Sequence, residues 1–250
     1  MKNLIGQQWE NAFEGKGKPP ILSKRFFQIF KNSTSFRIIK KNVRLGQNIQ
    51  VLEAGCATGK MSVALASLGC RVVALDFCEE MVQNTLDLKR GAERYYGKLN
   101  LEAVKGDITR LQFKDNSFDL VINEGVVEHW LDRTERINVI KEMARVTKKG
   151  GKVIIIVPNG IHPFHKKWKK AGKYSSAPPM TLYSTKKLMG EMELVGLRKI
   201  KTDGLGPWVS FSLDNKYLSE IMGILNLILP WPKKQREKWG VNLIAIGEKV

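Results

Sequence analysis

The most constraining stretch of this chain is Asn48 to Thr58, NIQVLEAGCAT. An apolar run from Ile49 to Leu52 ends in Glu53 and passes directly into a loop of small residues, Gly55-Cys56-Ala57-Thr58-Gly59. Beyond Gly59 the apolar residues take helical spacing, with Met61, Ala64, Leu65 and Leu68 on one face, and Gly69 closes the run. The pattern predicts a strand, a tight turn and a helix. Small residues let the backbone approach a ligand at the carboxyl end of a strand, where the next helix presents unpaired N–H groups. Such a turn suits a nucleotide-like or amino-acid-like ligand.

Arg71 to Leu75 reads as a second buried strand, with Asp76 at its end, about twenty residues after the turn. In a doubly wound sheet a carboxylate there reaches the ribose hydroxyls of a bound nucleoside. The dinucleotide fingerprint Gly-x-Gly-x-x-Gly is excluded, because this loop is Gly-x-Ala-x-Gly. Glu79 to Tyr96 predicts a helix that buries Met81, Val82, Leu86 and Leu88. Leu99 to Val104 and Ser117 to Glu124 predict the third and fourth strands, with Asp107 following the third. Asp132 and Glu135 form a capping box for a helix to Lys149, whose core face is Ile137, Ile140, Met143, Ala144 and Val146. Gly150-Gly151 then leads into a fifth strand, Lys152 to Val157. Ser184 caps a helix through Leu194, and Leu197 to Thr202 with Val241 to Glu248 predict an antiparallel pair at the sheet edge.

The sequence from Glu53 to Gly59, with these strands in this order, resembles the class I S-adenosylmethionine (SAM) dependent methyltransferases, in their small-molecule branch. The resemblance spans roughly Gln47 to Val157 and the C-terminal strands. Ala57 stands where the family's turn has its middle glycine, which fits if φ is negative there and no close backbone approach is required. The resemblance implies an α/β fold: a doubly wound, seven-stranded, mostly parallel sheet with helical cap insertions, forming one domain over residues 1–250. SAM is the implied cofactor. Glu53 would face the turn backbone and the methionine amino group, and Gly55, Cys56, Ala57, Thr58 and Gly59 would form the cofactor loop. Asp76 with Phe77 would meet the ribose, Met81 and Asp107 with Ile108 the adenine, and Asn123, Glu124 and Gly125 the methionine end. A glycine-rich turn that binds nothing is the alternative.

The methyl acceptor would approach Gly125 to Trp130, where Glu128 and His129 are the candidate catalytic residues, as base, orienter or acceptor contact. Packing of Val126, Val127 and Trp130, with local bonds from Glu128 and His129, is the alternative. Two insertions, 158–183 and 207–239, would shape the acceptor site. The first holds five lysines with Phe164, Trp168 and Tyr174 and no acid; its His162 and His165 are too few for a metal site, and none is expected. The second contains Tyr217 to Leu229, an amphipathic stretch suited to an interface, to the acceptor site or to a second subunit. Residues 1–46 read as a basic helical segment, its first part a short helix with Trp9 and Phe13 lying across something apolar; the resemblance implies a lid over the cofactor that would include Trp9, and plain packing of Trp9 is the favoured alternative.

Forty-two Lys and Arg against 24 Asp and Glu give a net charge of +18, which attracts anionic partners. No apolar run reaches the ~18 residues of a membrane span. Three cysteines, Cys56, Cys70 and Cys78, and no signal peptide point to a reduced, cytosolic chain, one still compatible with an anionic membrane surface. The expected activity is methyl transfer to a small-molecule or lipid-like, anionic acceptor. RNA methylation is one alternative; against it stands the lack of an Asn-Pro-Pro-Tyr-like loop after the fourth strand. A non-catalytic SAM-binding partner protein is the other, and the oligomeric state is not legible.

Overall fold

The computed structural model describes residues 23–162, 178–206 and 232–250. Trp9, Phe13, most of the first insertion and the stretch Tyr217 to Leu229 lie outside the described residues. Two short helices open the described chain, α1 (Lys24–Lys31) and α2 (Thr34–Asn42), each N-capped by a serine hydroxyl, Ser23 and Ser33. Then follow β1 (Gln50–Ala54), α3 (Lys60–Ala66), β2 (Arg71–Asp76), α4 (Glu79–Tyr96), β3 (Leu101–Lys105) and β4 (Phe118–Glu124). A single 3-10 turn, Val127–His129, precedes α5 (Arg133–Val146) and β5 (Thr147–Pro158). The chain closes with α6 (Thr185–Leu194), β6 (Leu197–Leu205), α7 (Lys233–Trp239) and β7 (Asn242–Lys249).

The seven strands run in the order β3-β2-β1-β4-β5-β7-β6. The first five are parallel, and β7 is antiparallel to both its neighbours, as the sequence pattern predicts. Helices on both faces give central strands no polar side, hence the unbroken apolar runs such as Val153 to Val157. One core joins Phe27, Phe36 and Ile39 of α1 and α2 to α3 and the sheet face presented by Val51, Leu120 and Ile154. The other joins Leu52, Val121 and Ile155 to Ile140 and Met143 of α5 and Leu188 and Met192 of α6. The buried residues of α1 and α2 therefore join the core on the α3 side of the sheet.

Three boundaries differ from expectation. α5 stops at Val146, not Lys149, because Thr147 pairs with Phe118 and starts β5 there. β3 starts at Leu101, since the Leu99 N–H is taken by Glu93 Oε1 at 3.0 Å. β6 runs on to Leu205 through a register shift between Arg198 and Lys201. On α5, Arg136 and Val139 are buried and Ile137 only half-buried, so the helix is turned slightly from the expected face.

Candidate cofactor and acceptor site

The carboxyl ends of β1, β2 and β4 converge on the turn at Gly55 to Gly59. The Gly55 and Cys56 N–H groups both donate to the Leu75 carbonyl, at 2.8 and 2.9 Å, sewing the turn to the end of β2. Gly55 (φ +86°) and Gly59 (φ +73°) lie in the left-handed region, and both are crowded as well. A Cβ on Gly55 would sit 2.5 Å from Val126 Cγ2, and one on Gly59 would sit 2.6 Å from Thr85. Ala57 corrects the sequence reading: its φ is +44°, not negative. A non-glycine residue there costs roughly 1–2 kcal/mol, so its neighbours must hold it. The Ala57 N–H donates to Asp76 Oδ2 at 2.9 Å, and its carbonyl accepts from Thr85 Oγ1 at 3.2 Å.

Asp76 is thus a strut before it is a ligand contact. Its other oxygen accepts from the Cys78 N–H at 3.0 Å. Burial pushes its carboxyl upward in pKa, opposed by those backbone N–H groups. A carboxylate offers about four lone-pair sites, so two acceptor positions remain for hydroxyls. Phe77 is half-buried beside it, and Met81, in the first turn of α4, is buried. Asp107 is exposed at the end of β3, accepting from the Thr109 N–H and Oγ1, both at 2.7 Å, while Ile108 next to it is buried.

Glu53 departs from its expected place. Instead of meeting the turn backbone, it accepts a short hydrogen bond from Ser62 Oγ in the first turn of α3. Burial pushes its carboxyl up to about 8, and the nearby Glu124 and Asp76 add to the rise. Asn123 is fully buried and committed to backbone: Nδ2 donates to the Ala54 carbonyl at 2.6 Å and Oδ1 accepts from the Val127 N–H at 3.1 Å. It ties the end of β1 to the turn after β4 and keeps one amide hydrogen for a ligand. Glu124 is exposed at the rim, and Gly125 turns with φ +72°.

The two candidate catalytic side chains are both buried but differ in their commitments. His129 Nδ1 donates to the Pro179 carbonyl at 3.2 Å, and burial lowers the pKa of the ring. Glu128 uses its backbone carbonyl to accept from the Thr181 N–H at 2.7 Å. Its carboxyl oxygen Oε2 is buried with no hydrogen-bond partner, and burial pushes its pKa up to about 8, with Glu124 adding to the rise. The segment Pro178 to Tyr183 is therefore fastened across this turn. A buried network anchors it beneath: Arg136 pairs with Glu191 at 3.1 Å, donates to the Trp130 and Leu131 carbonyls at 2.8 and 2.6 Å, and reaches Thr181 Oγ1 at 3.3 Å. The Tyr183 hydroxyl donates to the same Glu191 at 2.7 Å. Nothing in the periodicity of the sequence distinguishes this arginine from an exposed one. A separate basic groove, lined by Arg133, Lys186 and Lys187, lies at the start of α6 and includes none of the turn residues.

In a chain of net charge +18, this site gathers Glu53, Glu124 and Glu128, with Lys60 acting on Glu124 alone among them. Two buried carboxyls without a cation, one with an orphaned oxygen, fit a ligand that brings its own positive charge. SAM carries two, a sulfonium and an ammonium, and the glycine turn at the helix start suits its nucleoside half. The residues present fit that cofactor.

Comparison with known proteins agrees. Residues 52–155 match the model of a family described as a methyltransferase domain. A protein of Encephalitozoon cuniculi named as a methyltransferase is 29% identical over 157 residues, covering 61% of this chain and 68% of that protein. Malonyl-[acyl-carrier protein] O-methyltransferase of Erwinia pyrifoliae is 31% identical over 140 residues, 55% of this chain and 48% of the relative. The probable tRNA methyltransferase 9B of Mus musculus is 34% identical over 110 residues, 43% of this chain and 21% of the relative. The chain thus spans less than half the length of the last two. Among solved structures, the magnesium protoporphyrin IX methyltransferase of Synechocystis, with bound S-adenosylhomocysteine (SAH), superposes with a TM-score of 0.60 at 16% identity, covering 98% of this chain and 94% of that one. Residues 52–155 thus match a methyltransferase domain, and the Gly-x-Ala-x-Gly turn and the strand order of the sheet are similar to those of the class I SAM-dependent methyltransferases.

Proposed function

We propose that the protein moves the methyl group of SAM to a small-molecule or lipid-like acceptor that carries negative charge. The observation that supports this acceptor class is the fastening of Pro178 to Tyr183 onto Glu128 and His129. That segment belongs to a stretch, Met143 to Gly190, that contains no Asp or Glu and eleven Lys and Arg. The acceptor side of the site is thereby joined to the most one-sidedly basic part of the second half of the chain. RNA methylation is the second reading, favoured by the tRNA methyltransferase relative and the net charge.

Bound SAM supplies a methyl group already activated by its positive sulfur, so the chain's work is positioning and exclusion of water. The turn at Gly55 to Gly59 and Asp76 hold the nucleoside half. Glu53 and Glu124 would face the positive methionine half, whose charge would favour their ionised forms. With a protic acceptor, Glu128 would serve as the base only in its ionised form, which the positive charge of bound SAM would favour, and its Oε2 would then take the proton that the acceptor loses on methylation.

Incubation of the protein with methyl-labelled SAM and fractionated cell extract tests the acceptor class. Label in the lipid or small-acid fraction is expected. Label confined to RNA would replace this acceptor with the second reading, and no labelled fraction from a protein that binds SAH would refute it.

A further inference from the structure

Most charged contacts on this surface are paired. Lys89 meets Glu93, Arg145 meets Glu142 and Asp115, Lys148 meets Asp119, and Lys199 meets Glu248. The cations of the first two helices and the residues just after them are different. Lys24, Arg25, Arg37, Lys40, Lys41 and Arg44 are all exposed, and none forms an ion pair among the described residues. The cause is in the sequence, which holds no Asp or Glu from Gly15 to Leu52.

The arrangement is one-sided. Phe27, Phe36 and Ile39 point inward and are fully buried against the sheet. Arg37, Lys40 and Lys41 recur at intervals of three and four along one outward stripe of α2, and the exposed Arg44 follows just past its end. On α1, Lys24, Arg25 and Gln28 are exposed, and Ile29, one turn on from Arg25, is 63% exposed at the edge of that row. Six like charges held together without counter-ions repel one another, so the face is a cost to the isolated fold. A large apolar side chain exposed beside those cations gains nothing from water either.

We propose that this face docks on the surface of an anionic lipid bilayer, its cations at the headgroup phosphates and Ile29 at the boundary with the acyl chains. RNA would satisfy the cations equally. It would leave Ile29 without a partner, and the helices offer no free ring on which a base could stack. The Phe26 and Phe30 rings are half-buried and stack on each other, centroids 5.9 Å apart and 12° from parallel. Bilayer docking does not depend on what the protein methylates.

Co-sedimentation of the full chain with vesicles tests this. Binding to vesicles containing phosphatidylglycerol, and little to pure phosphatidylcholine, is expected. Each cation near such a surface contributes about fivefold in partitioning, so Arg37→Gln/Lys40→Gln/Lys41→Gln together lower it about a hundredfold at low salt. Ile29→Ser lowers vesicle binding several-fold and leaves retention on single-stranded RNA unchanged. An unaltered SAH affinity in both variants shows that they are folded. Equal binding to the two vesicle types, an unaffected triple variant, or loss of RNA retention rather than vesicle binding in Ile29→Ser would overturn the proposal.

Discussion

Replacing Glu128 by Gln is the sharpest probe of the site's electrostatics. The carboxyl is buried, its Oε2 has no partner, and its pKa is pushed from an ordinary 4.5 to about 8. Between those values the unfolded chain has released the proton while the folded protein retains it. The folded state then binds more protons than the unfolded one, so stability is fully present below pH ~4.5, falls as pH rises, and levels off above ~8. At about 1.4 kcal/mol per pH unit, one such group removes roughly 5 kcal/mol across the window, an upper bound for a side chain that can relax toward water. Gln keeps the shape and removes the titration. The variant should match the parent near pH ~5 and exceed it by several kcal/mol near pH ~8.5. Glu53, also pushed to about 8, adds a slope of the same sign that the variant retains, so the pH dependence shrinks without vanishing. Urea denaturation of the ligand-free protein over this pH range measures it. Parallel stability curves for the two proteins would show that Glu128 is not held as a buried, uncompensated acid.

Three further substitutions test the turn and its support. Ala57→Gly relieves the left-handed alanine and should stabilise by about 1 kcal/mol, a melting shift of ~2–4 °C for a chain of this size, with SAH affinity retained; destabilisation by more than that would mean the methyl group packs productively. Asp76→Ala strands the Ala57 and Cys78 N–H groups, costing about 2 kcal/mol of stability and at least about tenfold in SAH affinity; unchanged affinity by calorimetry would remove the ribose assignment. Arg136→Ala leaves Glu191 buried without its cation and should cost about 3–5 kcal/mol in thermal or chemical unfolding, whereas a loss under about 1 kcal/mol would show that the network relaxes.

The parts of the fold that the sequence makes legible are those written as periodic burial. Apolar runs ending in Glu53, Asp76 and Asn123-Glu124 name the strands, and the glycine turn with Asp76 about twenty residues on names the sheet type. The capped helix starts were equally readable, because Asp132 and Ser184 each accept a backbone N–H three residues on. What stayed hidden depends on contacts distant in sequence. The positive φ of Ala57 is imposed by Asp76 and Thr85, neither of which marks residue 57 in the sequence. Glu53 turns toward Ser62 because the first turn of α3 passes beside it, and Asn123 spends its amide on Ala54 and Val127. The Arg136–Glu191–Tyr183 network joins α5, α6 and the segment between β5 and α6, and a buried arginine reads in sequence like a surface one. The end of α5 and the start of β3 depart from the sequence pattern for the same reason: Phe118 and Glu93 decide them through space.

The central claim is that the turn at Gly55 to Gly59 and the acids around it hold the SAM nucleoside and its positive methionine half. Calorimetric titration with SAH, and separately with NAD, tests it most directly. Binding of SAH in the micromolar range with no heat from NAD is the predicted result. Absence of SAH binding by a folded protein would contradict it and would leave the turn at Ala57 as one that binds no nucleoside.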